Sequence, residues 1–386
     1  MSEVLTTEDQ LLANFEGWLN QRFEASSSLR AIKEAGAENF KKLGLPSRKS
    51  EAYKYTPITK VIEKNFDLDI AESPSDLTKS DCEAKFYQDA DANHLVFING
   101  VFVEDYSKII SASSELTIKV LDDQAINEHA ELKSNLGHVN GSQVDPFAAL
   151  NLAYFNQGVF IKAEKNTDNK NTYIYQFIDG SKQTVLFPRV FVYGAAGSRT
   201  KVYEKTFISG EENSLNISIV ESMVEANAEV RFTKLQNYTN KAYAIEGVYA
   251  HQDKDSRFYT NTFSFKGAVV RNNVYINIDA ENCEGHMNGL YQLSGKTHVD
   301  TNTSVDHLKP HSYSNELYKG ILDENSRGVF NGKIYVRPDA QKTNAFQSNN
   351  NILLTDTATI NTKPQLEIWA DDVQCSHGCT TGQMDE

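Results

Sequence analysis

Val274-Tyr275-Ile276-Asn277-Ile278 alternates apolar and polar or aromatic residues in strict order. Successive strand side chains point to opposite faces, so Val274, Ile276 and Ile278 share one side and Tyr275 and Asn277 the other. Short runs of the same kind recur upstream: Tyr173-Ile174-Tyr175-Gln176-Phe177, Val190-Phe191-Val192-Tyr193 and Leu215-Asn216-Ile217-Ser218-Ile219-Val220. After position 170 a strand signal returns about every 10 to 15 residues and no helical pattern intervenes. A sandwich, a barrel, a propeller or a solenoid fits that grammar. Asparagine weighs toward a parallel β-helix, because fifteen lie between residues 261 and 361. Asparagine tolerates left-handed turns and stacks its amides where equivalent positions lie one above another. No strict sequence period is present, and a sandwich rich in asparagine turns fits the same pattern.

Upstream the grammar changes. Leu95-Val96-Phe97-Ile98, Asn99-Gly100 and Val101-Phe102-Val103 spell a hairpin whose two turn residues tolerate positive φ. Asp145 to Phe155, with Pro146 in the first turn, is expected to be a helix. The first 45 residues read as two helices. Thr7 with Gln10 resembles a capping box, and Leu11, Leu12, Phe15, Trp18, Leu19 and Phe23 recur at helical spacing. The second helix carries Leu29, Ile32, Phe40 and Leu43 and stops at Gly44 and Pro46. Ser47 to Pro57 is a polar connector bearing aromatics. The expected organisation is a helical region and connector over 1–90, a β core over 91–370 and a terminal segment over 371–386.

Composition removes several functions. With 38 Lys+Arg against 52 Asp+Glu the formal charge is −14, and no basic cluster offers phosphate contacts for nucleic acid or anionic lipid. No run of 18 apolar residues could span a bilayer, and the polar N-terminus lacks the regions of a signal peptide. Four scattered cysteines (Cys82, Cys283, Cys375 and Cys379) make no disulfide scaffold, so a reducing, cytoplasmic setting is expected.

The densest chemistry is Cys375-Ser376-His377-Gly378-Cys379. Thiolate and imidazole bind iron and zinc, and on an extended chain these three side chains could share one face. A structural metal site usually needs four ligands and no fourth lies nearby, so a second chain could complete the set. Two free thiols beside a surface histidine are the plainer alternative. His286, His298, His307 and His311 lack a recognised ligand spacing and read as structural. Gly194 to Thr200 lacks the lysine of a phosphate loop and reads as a turn between strands. There is no Gly-x-Ser-x-Gly elbow. Asp371-Asp372 does not make a sugar-cleaving pair, since adjacent strand residues face apart and would not flank one bond.

Lys363-Pro364-Gln365-Leu366-Glu367-Ile368-Trp369-Ala370-Asp371-Asp372-Val373-Gln374-Cys375-Ser376-His377-Gly378 resembles the C-terminal signature of the SufB/SufD family of iron–sulfur assembly proteins. Arg48 to Pro57, Phe97 to Phe102, Leu317 to Asp323 and Arg327 to Lys333 resemble further family segments. The resemblance implies a mainly β fold: a right-handed parallel β-helix core with an N-terminal helical region. It implies a non-catalytic scaffold of the SUF system, paired through its β-helix with a SufB paralogue and served by the SufC ATPase. It also implies a transient Fe–S cluster shared with that SufB partner. The family's interface histidine falls on His377 and its neighbouring cysteine on Cys375, the two expected metal-site residues. Cys379 stands where the family usually has alanine. The essential SufB-type cysteine near Gln347-Ser348-Asn349-Asn350 is missing, which places the chain on the SufD side. Family members continue past Asp385-Glu386 with a helical segment that docks SufC, so the chain is expected to be truncated there. An unpaired β-helix face makes a homodimer plausible when the chain is alone. The alternative function is a β-helix enzyme acting on polysaccharide, which rests on fold analogy.

Overall fold

The alternation at Val274 to Ile278 belongs to a ten-residue strand, Val269–Ile278. In the computed structural model, which describes residues 6–47, 49–68, 70, 74–139 and 141–383, this strand is one layer of a parallel β-solenoid of about eight turns. Val274, Ile276 and Ile278 are buried in the core between two sheets. Tyr275 points outward, against the helical layer.

Each turn gives one strand to each sheet. The first sheet runs from the hairpin Asn93–Ile98 and Val101–Phe102, through Thr172–Asp179 and Arg199–Ser209, to Gln374–Gln383. The second runs from Leu116–Val120 and Gly158–Ala163, through Arg189–Gly194, to Thr359–Ile368. Pairing is parallel along both, except that each begins with one antiparallel strand at the N-terminal end. Glu229, Arg257, Glu284, Tyr313, Asn344 and Gln374 stand in one column, at spacings of 28, 27, 29, 31 and 30 residues. These unequal spacings explain why no strict period is visible in the sequence. The asparagines do both jobs expected of them. Asn273, Asn302 and Asn331 are in register on neighbouring rungs, and Asn288 donates to Asn261, which donates to Thr233. Asn166, Asn227 and Asn282 take positive φ in the turns between strands.

The hairpin forms as read, with Asn99 at φ 48° and Gly100 at φ 77°. The helix Pro146–Tyr154 forms too, and the Asp145 carboxylate accepts from the Phe147 N–H at 2.8 Å. The first cap is shifted by one residue. Thr6, not Thr7, caps the helix Thr7–Arg22, and its reciprocal partner is Asp9 rather than Gln10. Arg48, the first residue of the family-like motif, lies outside the described residues, as do Asp385 and Glu386.

The helices Thr7–Arg22, Ser28–Leu43 and Pro146–Tyr154 lie on the outer face of the second sheet, over Ile217, Ile219, Ile245 and Tyr249. Gly36 lets two of them meet: a Cβ there would lie 2.7 Å from the Ala153 nitrogen. A buried ion pair fixes the layer. Arg189 pairs with Glu221 and donates to Asn151 Oδ1 at 2.8 Å, while Glu221 accepts from the Gly137 N–H at 3.0 Å. The connector is tied down through Tyr53 and Thr56, and Thr56 donates to the buried Asp300. No helix among the described residues is long and apolar enough to cross a membrane.

Candidate functional site

Gln374–Gln383 is the last strand of the first sheet. It pairs in parallel with Asn344–Leu353, which sets Cys375 beside Ala345, His377 beside Gln347 and Cys379 beside Asn349. Ala345, Gln347 and Asn349 are buried and line the solenoid interior. Cys375, His377 and Cys379 therefore continue three interior columns, all on one face, as their i, i+2, i+4 spacing requires. No described strand lies beyond them. Cys375 is half-buried against the apolar cluster that includes Ile334, Ala340 and Ala345, while His377 and Cys379 are exposed.

Alternate residues on a strand are about 6.6 Å apart, so three donors in a row do not converge on one ion. Among the described residues no group of three His, Cys, Asp or Glu side chains is placed to hold a metal ion. The strand thus offers a one-sided row of soft ligands. Burial pushes the Cys375 thiol up, against a hydrogen bond from the Ala345 backbone. It stays protonated in the lone chain, and ionises only when a metal or a cationic neighbour compensates.

Beneath His377 the column is polar. Gln347 Nε2 donates to Glu316 Oε2 at 3.0 Å, and Thr303 Oγ1 donates to the same oxygen at 2.6 Å. Glu316, Gln347 and His377 occupy successive rungs in register. Burial raises the Glu316 carboxyl to about 7, with its two hydrogen bonds pulling down. The sequence alone does not single out Glu316, and it marks Gln347 only as part of the segment that lacks a SufB-type cysteine. Their link to His377 is a 31- and a 30-residue step, which has no meaning until the register is known.

The surroundings of this rung are apolar and bare. Ile352, Leu354, Ile368 and Trp369 are 45, 40, 40 and 49% exposed. Gln374–Gln383 and Thr359–Ile368 each leave one long edge unpaired within the described structure. Unpaired N–H and C=O groups on a long edge are a template for another strand.

The other candidates disperse. His286 stacks on Tyr259 with ring centres 4.4 Å apart, and His307 is buried against Ser314 at 2.8 Å. His298 bonds Thr56 at 2.8 Å, and His311 sits in a turn at φ 63°. They form no site together, as their spacing suggested. Gly194 to Thr200 is a turn between two strands. Asp372 pairs with Lys342, and Asp371 is exposed. Cys82 and Cys283 are buried, and all four cysteines are free.

Fold and site together define a parallel β-solenoid, flanked by helices on one sheet face, that presents thiol and imidazole on its last described rung. The chain belongs to the SufBD family of iron–sulfur cluster assembly proteins: the SufBD core domain of the SUF system matches residues 177–386 and the SufBD N-terminal region matches 6–172. It is 29% identical to the iron–sulfur cluster assembly protein SufD of Escherichia coli over 381 residues, covering 94% of this chain and 83% of that one. It is 27% identical to an iron–sulfur cluster assembly SufBD family protein of Synechocystis over 364 residues, covering 92% and 79%. A chloroplastic protein of Arabidopsis thaliana is 25% identical over 395 residues, covering 98% and 80%. These matches do not favour the polysaccharide alternative.

Proposed function

We propose that the chain is a non-catalytic scaffold subunit of the SUF machinery, joined to a SufB paralogue through its last rung and served by the SufC ATPase. The observation that carries this reading is the row Cys375, His377 and Cys379 on an uncovered strand edge, ringed by exposed apolar side chains. The partner's strand adds to the edge of Gln374–Gln383, and the partner's thiols face the row. His377 and Cys375 then supply part of the ligand set of a nascent Fe–S cluster, which is cargo and leaves again. A cluster held by donors from two chains is released when the chains shift, as ATP hydrolysis in a partner subunit would make them do. Without the paralogue, the same edge pairs with a second copy of this chain. On this reading 1–90 is the helical region and connector and 91–370 the solenoid core, which the strand Gln374–Gln383 extends with the rung that carries the site. The four free thiols suit a reducing compartment, the cytoplasm.

The test is anaerobic co-expression with the cognate SufB and SufC subunits, with iron and acid-labile sulfide measured in the purified complex. His377→Ala is expected to leave the complex intact and strip it of most of its cluster. Undiminished iron and sulfide in an intact mutant complex would sink the role of His377, and failure to form any complex would sink the scaffold reading.

A further inference from the structure

The family-like segment ending at Pro57 has no part in the assembly site, yet it builds one wall of a second feature. A groove of about 560 Å³ opens between this connector and the second sheet, with Tyr55 and Pro57 on one side and Lys296, His298 and Arg327 on the other. Lys296 and Arg327 are exposed, and neither forms an ion pair among the described residues. The nearby acids are engaged elsewhere. Asp300 is held by Arg271 at 2.7 Å and by Thr56, and Glu324 accepts from the Gly295 N–H. In a chain of net charge −14, two cations without an ion-pair partner among the described residues, side by side in one groove, are out of balance.

Two further observations give the imbalance a direction. The helix Ile58–Asn65 begins at the groove without any side-chain cap. Its first-turn N–H groups and its dipole favour negative charge there. Tyr55 is 46% exposed, so a flat apolar body can lie against its ring. The volume is several times that of a bare inorganic anion and lies in the usual range for small organic ligands.

We propose that this groove binds a small organic anion: a phosphate or carboxylate group seated between Lys296 and Arg327, carried on a flat apolar body that rests on Tyr55. His298 forms the floor. Its Nε2–H donates to Thr56, whose own proton goes to Asp300, which keeps that acid engaged away from the groove.

Calorimetric titration of the whole chain at low salt tests this with phenyl phosphate, benzoate, inorganic phosphate and phenol. Saturable one-to-one binding of phenyl phosphate or benzoate is expected, with inorganic phosphate weaker and phenol silent. Comparison of the first two decides whether phosphate or carboxylate is the preferred head group. R327Q and K296Q should each weaken binding about tenfold, as the loss of a charge-assisted contact does. K201Q, an exposed lysine on the other sheet, should change nothing. Absence of saturable binding by any of the anions at millimolar concentration overturns the proposal, as does equal affinity in R327Q and K201Q. Because no cluster is involved, either result stands apart from the fate of His377.

Discussion

The two ends of the solenoid treat the same problem in opposite ways. A sheet edge exposes unpaired backbone groups that invite another strand. At the N-terminal end each sheet closes with a short antiparallel strand, Val101–Phe102 or Leu116–Val120, and helices bury the outer face nearby. Two buried charge clusters in that half are matched, while Lys33, also buried, is held by the Phe155 carbonyl without an acid. Lys234 lies between Glu204 at 3.0 Å and Glu246 at 2.8 Å, and Arg189 pairs with Glu221. At the C-terminal end both sheets stop in full ten-residue parallel strands, and apolar side chains stand in water beside them. Inside the last rungs Glu316 has no cation among the described residues. The described residues thus leave the C-terminal strands with a long unpaired edge where the N-terminal sheets end in short antiparallel strands.

The sharpest way to break this comparison is to unpair the closed end. Glu221→Ala strands the guanidinium of Arg189, which is 1% exposed. Removing one member of a buried pair costs about 3–5 kcal/mol. Urea denaturation should show that loss, whereas a change below about 1 kcal/mol would mean the helical layer is held by its apolar contacts alone.

The next effect belongs to the open half and reverses in sign. Glu316 titrates at about 7 in the fold against 4.5 when exposed, because burial disfavours its charge. A carboxyl with a raised pKa binds more protons folded than unfolded, so stability is fully present below pH 4.5 and falls as pH rises to 7. The loss is about 3 kcal/mol, at about 1.36 kcal/mol per pH unit. Glu316→Gln should therefore stabilise the chain at pH 8 and leave it nearly unchanged at pH 4. His307 works the other way. Burial lowers it to about 3, so its contribution is lost as pH falls from 6.5 toward 3. Thermal melts between pH 4 and pH 8 separate the two, and a Glu316→Gln gain that does not grow with pH would contradict the raised carboxyl.

Gly36→Ala comes third. The added methyl would meet the Ala153 backbone at 2.7 Å, and overpacking of this kind costs about 1–3 kcal/mol. An unchanged midpoint would show that the two helices separate easily and that the cover is loose.

How much of this contrast was legible in the sequence depended on distance along the chain. The hairpin at Asn99-Gly100 and the helix after Asp145 were readable because their signals are local. The cap slipped to Thr6 because two threonines in succession both fit, and only the reach of Asp9 decides between them. The short helices Asp123–Glu128 and Ala130–Asn135 are too brief to show a period. That Cys375, His377 and Cys379 share a face followed from their spacing. That the face is the solenoid interior did not, because it depends on Ala345, Gln347 and Asn349 one rung away. The groove at Lys296 and Arg327 was equally hidden, since its walls are more than 200 residues apart in the chain.

The smallest stability effect carries the most weight for the comparison. His377 is exposed on a rung that nothing covers among the described residues, so His377→Ala should shift the folding free energy by no more than about 0.5 kcal/mol, the usual range for a surface change. Cys379→Ala should do the same. If the open end is reserved for association, these residues matter only when a partner's strand is in place. Denaturation of the lone chain should then be indifferent to His377→Ala while cluster content of the complex is not. A large loss of stability in the lone chain would mean that His377 holds the last rung together. The open end would then be a structural terminus like the closed one, and the contrast between them would collapse.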